Sequence, residues 1–474
     1  MLVEEDHEPS NSELYRILDD FLKTSPCSLL IRGEPGQGKT TFVLTLMKRY
    51  KDSYRGYYVS TRVSLEKLEM QFSWIRGLLS KESVLEAENS AKQDLKGFDA
   101  RIGRARNLTE IVTNAALGDS ALVVLDSWDT LAKETPFDER AKTERMITTI
   151  ADAHNSLIIF VGEEDEYSRN SAYLVDGIIT LSYYTVDSVK IRKLTIDKMR
   201  GTSIPRMDLL YTLDDSRFEI LPKLRSPEYP SPARYEPVKL KPGFFSSGNI
   251  HLDTLLGGVR EGSVILIESD QGTMKTASDL MLSCFVLNAL GSKNSAIMVN
   301  AADTPAKETA RMVKPFVTAE AAKNFRVFAH GGSDIGDASV IGLGDDEAAN
   351  HDLLQKEYLS LRSSSRGGGQ VVLGLDVGLS QKESAEAAKI WSAKLVNLCR
   401  TVRNNGDLLV MVNRTGLDTI PLCKTVSDIH MQITNKSGVH FMRVQKPAIE
   451  GPTILFSVSA GEKKYPSYVL KKVV

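Results

Sequence analysis

The residues of this chain best equipped for chemistry are consecutive. Gly33-Glu34-Pro35-Gly36-Gln37-Gly38-Lys39-Thr40 spells G-x-x-x-x-G-K-T. Glycines let the backbone turn its N–H groups toward one point where side chains would otherwise stand. An ammonium and a hydroxyl follow, and the composition from Thr41 to Tyr50 predicts a helix. Converging backbone donors, the positive end of a helix and a lysine make a phosphate site. The pattern assigns Lys39 to the β- and γ-phosphates of a nucleotide and the Thr40 hydroxyl to a magnesium ion. Gly33 through Thr41 are the candidate nucleotide-binding residues, with ATP and Mg²⁺ as the expected cofactors.

Magnesium also requires a carboxylate. Ala121-Leu122-Val123-Val124-Leu125-Asp126 is an apolar run ending in one, 126 − 39 = 87 residues beyond the lysine. Asp126 is the candidate second metal group, acting directly or through water. Leu157 to Gly162 is another apolar run, followed by Glu163-Glu164-Asp165-Glu166. Acidic turns are often only solvated surface. Here the acids stand where a strand would deliver them to the phosphate loop, so Glu163 can share one site with the loop and Asp126.

These groups can meet only if the runs form one sheet. Ser28 to Ile31 leads into the glycine loop, Gly56 to Ser60 is a second strand, and a helix is expected over 11–23 and over 64–72. Alternating segments at 177–184 and 189–197 read as a hairpin. Strands alternating with helices at these lengths predict a parallel α/β sheet, whose ligands bind at the carboxyl ends of the strands. The charged stretch 80–107 is expected to be surface helix and loop. Trp128 is expected to pack in the core and His154 to lie on a helix surface.

Composition narrows the class. The 474 residues are 42% hydrophobic and 25% charged, with net charge −2. That fits a folded protein of about two or three domains and gives no general argument for nucleic acid or membrane. No apolar run reaches spanning length. Met1 to Asp20 is acidic and polar, unlike a secretory leader. The four cysteines lack C-x-x-C spacing and read as reduced thiols. The expected location is the cytoplasm.

The second half echoes the first. Leu252 to Gly258 precedes a strand from Gly262 to Ile267, then Ser269-Asp270-Gln271-Gly272-Thr273-Met274-Lys275-Thr276. Two loop glycines are replaced, by Ser269 and Met274, and a side chain at Met274 should crowd any phosphate. Val371 to Leu375 ends in Asp376, 376 − 275 = 101 residues after Lys275. Between the halves, residues 222–243 carry six prolines and read as an extended spacer. The division expected is 1–222, an intact nucleotide domain; 223–243, a linker; and 244–474, a degenerate copy. The insert 332–350 and the Ser/Gly run 363–369 are expected to be loops.

These residues resemble the RecA-type P-loop ATPases and, among them, the KaiC-like branch. Leu252 to Gly258 before a strand and loop, and Val175-Asp176-Gly177-Ile178-Ile179 leading to Lys198-Met199-Arg200-Gly201-Thr202, carry the likeness. The loop near the start, followed by Tyr58-Val59-Ser60-Thr61-Arg62, is most similar to archaeal gas-vesicle regulators of the GvpD type. The resemblance implies two tandem RecA-like domains with mainly parallel sheets flanked by helices. It implies homo-oligomers, a ring such as a hexamer, in which Lys198 and Arg200 face a neighbour's γ-phosphate. It also implies control of a protein partner such as a transcription activator. The family's usual Glu pair after the second strand, one of which polarises the attacking water, is replaced by Thr61-Arg62, so Glu163 or Glu164 becomes the candidate for that role, and the arginine position of the second hairpin is Ala448 beyond Lys446.

Three functions compete. One is a slowly hydrolysing regulatory ATPase. Another is a recombination or repair ATPase of the RecA and RadA kind, ranked lower because the acidic stretch Glu163 to Glu166 would repel a nucleic-acid backbone. The third is a nucleotide sensor without turnover.

Overall fold

A computed structural model describes residues 13–474 except 61–62, 80–83, 87–109, 111, 116–119, 133–136, 165–171, 187–188, 271–274, 302–303, 331–338, 345, 365–369, 377–384, 416 and 448–454. The chain divides into two compact units, one up to Pro222 and one from Lys223 to Lys472.

In the first unit, nine strands form one sheet in the order β3-β2-β4-β5-β1-β6-β7-β8-β9. Their spans are β1 Ser28–Gly33, β2 Arg55–Ser60, β3 Val84–Glu86, β4 Ala121–Asp126, β5 Leu157–Gly162, β6 Gly177–Val186, β7 Val189–Met199, β8 Asp208–Thr212 and β9 Glu219–Ile220. Strands β3 through β6 of this order pair in parallel, and β6 to β9 pair antiparallel. The parallel centre follows from composition. β4 and β5 are buried almost end to end, as strands covered on both faces must be. One face is covered by the helices Glu13–Leu22 and Lys39–Arg49, whose Leu14, Phe21, Phe42 and Leu46 join β1 and β4 in one core. The other face packs Trp128, Ile147 and Ala151 against Val123 and Phe160.

The second unit repeats this plan with ten strands, ordered β15-β14-β13-β16-β17-β12-β18-β19-β20-β21. A separate antiparallel pair, β10 Phe244–Phe245 and β11 Val259–Arg260, precedes this sheet, in which β12 is Val264–Ser269, β13 Ser295–Val299, β14 Phe325–His330, β15 Val340–Leu343, β16 Val371–Asp376, β17 Leu408–Arg414, β18 Ile429–Lys436, β19 Val439–Lys446, β20 Leu455–Ala460 and β21 Tyr468–Val473. The central strand β12 lies between β17 and β18, as β1 lies between β5 and β6. The chain thus holds two RecA-like α/β sheets, mainly parallel and flanked by helices. The proline-bearing stretch 223–243 packs along the second unit: Leu224 and Tyr235 are core residues, and the Val238 N–H donates to Asn288 Oδ1 at 2.8 Å.

Two expectations are corrected. Within the charged stretch 80–107, Val84–Glu86 is a parallel edge strand on β2, not helix or loop. Within the insert 332–350, Val340–Leu343 is a strand paired with β14, and the helix Glu347–Ser364 takes up its last residues and the first two of the run 363–369. In both places a short apolar run finds backbone partners that neighbouring charges give no hint of. The rest of 80–107, residues 332–338 and 365–369 lie outside the described residues. Among the described residues no helix is long and apolar enough to cross a membrane.

Candidate functional site

The glycine loop leaves the carboxyl end of β1 and enters the helix Lys39–Arg49. Two of its glycines are required for different reasons. A Cβ on Gly33 would lie 2.2 Å from the backbone oxygen of Leu181, its register partner on β6. Gly38 is the helix N-cap, left-handed at φ +82°, with no capping side chain. The first N–H groups of a helix have no intrahelical acceptor, so an uncapped start leaves donors for an anion. The loop is braced from behind. The Tyr211 hydroxyl, on β8, donates to the Gln37 carbonyl at 2.6 Å, and its ring stacks on Phe218, which in turn meets Phe42. Gln37 is buried, Thr41 is buried, and Glu34, Pro35 and Gly36 are exposed.

Lys39 Nζ donates to the carbonyls of Gly33 at 2.5 Å and Glu34 at 3.1 Å, so the ammonium lies across the mouth of its own loop. The Thr40 hydroxyl donates to Asp126 Oδ2 at 2.7 Å. Eighty-six residues of separation are closed to one hydrogen bond by the parallel sheet. A hydroxyl and a carboxylate at this distance are the hard oxygen donors that Mg²⁺ takes, so the residues present fit that ion. The loop fits a polyphosphate on the same terms, with an uncapped helix start and a lysine at its rim.

A third group reaches the carboxylate. The Tyr58 hydroxyl, from β2, donates to the same Asp126 Oδ2 at 2.6 Å. Burial, with the Asp126 charge beside it, holds the Tyr58 phenol well above its ordinary range, so it remains a donor.

The sheet register places the remaining candidates. Arg32 pairs with Gly162 and Asp126 with Val161, so Glu163 emerges between the loop and Asp126. Its N–H donates to Asp129 Oδ2, and Asp129 in turn holds Arg140 at 3.2 Å. The Glu163 and Glu164 residues are exposed at the sheet's carboxyl edge. Trp128 is buried, edge-on to Phe160, with Nε1 donating to Glu144. Thr61 and Arg62 lie outside the described residues.

Lys198 and Arg200 are not brought to this cluster. Lys198 pairs with Ile178, which pairs with Leu30, three residues before Gly33. At about 3.3 Å per residue that is a displacement of roughly 10 Å along the strands, toward the opposite edge of the sheet. Lys198 Nζ donates to the carbonyls of Ala172 and Val175, and Arg200 pairs with Asp176 at 3.1 Å. Burial and the Arg200 charge both lower the Lys198 pKa.

In the second unit, Lys275 Nζ is 3.1 Å from Asp376 Oδ2 and also donates to Thr304. The lysine of this frame is therefore paired with the carboxylate at the Asp126 position. Met274 and Ala448 lie outside the described residues. One strand position also inverts its charge: Arg32 precedes Gly33, whereas the buried Glu268 precedes Ser269 and is held by His430, Lys424 and Thr415. Burial raises the Glu268 pKa, but these donors outweigh it and bring it to about 2.

Sequence reasoning missed Tyr58, Tyr211 and Asp129. Each acts across strands or loops far apart in sequence, and only the strand order brings them to the loop, to Asp126 or to Glu163.

The comparisons agree with the geometry. Residues 18–225 match the family model described as ATPase: KaiC. Two proteins of Halobacterium salinarum are similar to this chain. Protein GvpD2 is 23% identical over 290 residues, 57% of this chain and 58% of the relative. Protein GvpD1 is 24% identical over 293 residues, 59% of this chain and 54% of the relative. The chain thus matches little more than half the length of these relatives. The matched segment coincides with the sheet that carries the glycine loop and Asp126, so residues 18–225 are similar to the KaiC-like ATPases in both sequence and strand order.

Proposed function

We propose that the first unit binds MgATP through Gly33 to Thr41 and Asp126, hydrolyses it slowly, and uses its nucleotide state to control contacts with a protein partner. The observation that carries this reading is the Thr40–Asp126 hydrogen bond at 2.7 Å beside Lys39 and an uncapped helix start. Lys39 would exchange its two carbonyls for phosphate oxygens, and Thr40 and Asp126 would hold the magnesium. The bound ion supplies charge neutralisation for the departing phosphate. Glu163 or Glu164 would orient the attacking water, with Asp129 fixing the Glu163 backbone.

Lys198 and Arg200 would serve a neighbouring copy, because they lie toward the opposite edge of their own sheet. This requires a homo-oligomer, of which a ring is the simplest closed form. A regulatory output, with a transcription activator as the kind of partner, is what the resemblance of the sequence motifs to gas-vesicle regulators implies. The second unit would act as a scaffold or regulatory copy, its lysine already held by Asp376. The exposed acids at Glu163 and Glu164 argue against a nucleic-acid groove there.

Phosphate release and sizing chromatography on wild type, Lys39→Ala and Arg200→Ala test the proposal together. Expected is Mg²⁺-dependent release lost in both variants, with the oligomer retained. Release from Lys39→Ala at the wild-type rate refutes the site, and full release from Arg200→Ala refutes the shared interface.

A further inference from the structure

We propose that Tyr58 is the positioning residue of Asp126, fixing the carboxylate for the metal. The inference rests on the reading of Gly33 to Thr41 as the nucleotide site. Tyr58 lies on β2, where it pairs with Val124, two residues before Asp126 on the adjacent strand. Side chains two apart on a strand share a face, so the tyrosine lies alongside the carboxylate and reaches it lengthwise. Tyr58 is 2% exposed and packs in the same core as Phe42, Val43 and Met47 from the helix that begins at Lys39. The position of its hydroxyl is therefore set by the core, not by solvent.

Asp126 Oδ2 accepts two hydrogen bonds, from Tyr58 at 2.6 Å and from Thr40 at 2.7 Å. Thr40 is the hydroxyl that the nucleotide site assigns to the metal. Once it turns to that task, Tyr58 is the remaining side-chain donor to Oδ2 among the described residues. A carboxylate with neither donor can rotate about its Cβ–Cγ bond and no longer presents one fixed oxygen. Hydrogen-bond partners of metal ligands carry effects of about 10- to 100-fold on metal affinity. That range sets the expected size here.

The test uses the full chain and two probes, ATP and MgCl₂. The ATP-induced rise in melting temperature is titrated with Mg²⁺ for wild type, Tyr58→Phe and Lys39→Ala, and ATP affinity is measured separately in excess EDTA. The phenylalanine keeps the ring and removes one oxygen. Its nucleotide-free melting curve is the baseline for its own titration, so a modest loss of stability does not confuse the result. Expected is a Mg²⁺ midpoint raised about 10-fold or more in Tyr58→Phe, with ATP affinity in EDTA unchanged within about twofold. An unchanged midpoint overturns the role of Tyr58, as does an equal loss of ATP affinity in EDTA, which marks a general packing effect. A wild-type response that survives in Lys39→Ala overturns the site reading and this inference with it. In an Asp126→Ala background, adding Tyr58→Phe should change the ATP response no further, because the tyrosine acts through that carboxylate. A further change there also overturns it.

Discussion

Alanine at Gly33 should damage the first unit far more than alanine at Gly38, although both stand in one motif. A Cβ on Gly33 would lie 2.2 Å from the Leu181 backbone oxygen, a separation that real Cβ atoms do not adopt. Leu181 cannot yield alone, because β6 pairs with β1 through five positions from Leu29–Gly177 to Gly33–Leu181. Relief means moving β6 off β1 at the centre of the sheet. That belongs with the exceptional destabilisations above about 4 kcal/mol. At Gly38 the obstacle is the pair of Leu213 methyl carbons, both 2.7 Å away, at the end of a side chain that can rotate. The left-handed backbone costs about 1–2 kcal/mol there, and an off-rotamer Leu213 about 0.5–1.5 kcal/mol more. For a unit of this size each kcal/mol lowers the melting temperature by roughly 2–4 °C. Gly38→Ala should thus melt roughly 3–14 °C below wild type, and Gly33→Ala should lose more or show no cooperative transition. Thermal unfolding gives the shift, and amide exchange of peptides covering 28–33 and 177–186 assigns it to this unit. A Gly33→Ala protein that melts like Gly38→Ala, with both strands still protected, would refute the close-approach argument.

Two further outcomes follow from the same geometry. Tyr211→Phe removes the 2.6 Å donor to Gln37 and leaves a buried carbonyl without that partner. Stability should fall by about 1–3 kcal/mol, with weaker ATP binding by calorimetry; wild-type values for both would contradict the brace. In the second unit, burial raises Asp279 from 3.8 to about 7, with Asp376 and Glu308 adding to the shift and Lys275 and Arg414 opposing it. The folded state keeps this proton after the unfolded chain has lost it, so stability declines as pH rises from about 3.8 to about 7 and then levels. Asp279→Asn should therefore gain stability relative to wild type across that window, read as melting temperature against pH. A difference that does not vary with pH would contradict the assignment.

Much of the fold was legible because it depends on local chemistry. A buried apolar run ending in glycines, and another ending in a carboxylate, are strand-end signals in one dimension. They place β1, β4 and β5 within a residue or two of their observed limits. The hairpin of β6 and β7 was equally plain from its alternation. The short edge strands Val84–Glu86 and Val340–Leu343 were not legible, because a pairing partner, not a pattern, makes a three- or four-residue strand.

The sequence by itself determined which residues can meet a phosphate and a metal. Spacing around Gly33 to Thr41 and the acid at Asp126 are properties of the chain, and backbone sterics leave them few arrangements. Tertiary structure decided which groups meet. The strand order sets β2 beside β4, giving Asp126 its tyrosine. It sets β6 against β1, making Gly33 indispensable, and it turns Lys198 and Arg200 toward the opposite edge of the sheet. Hydrogen bonds between residues scores of positions apart depend on distances that only the folded sheet creates.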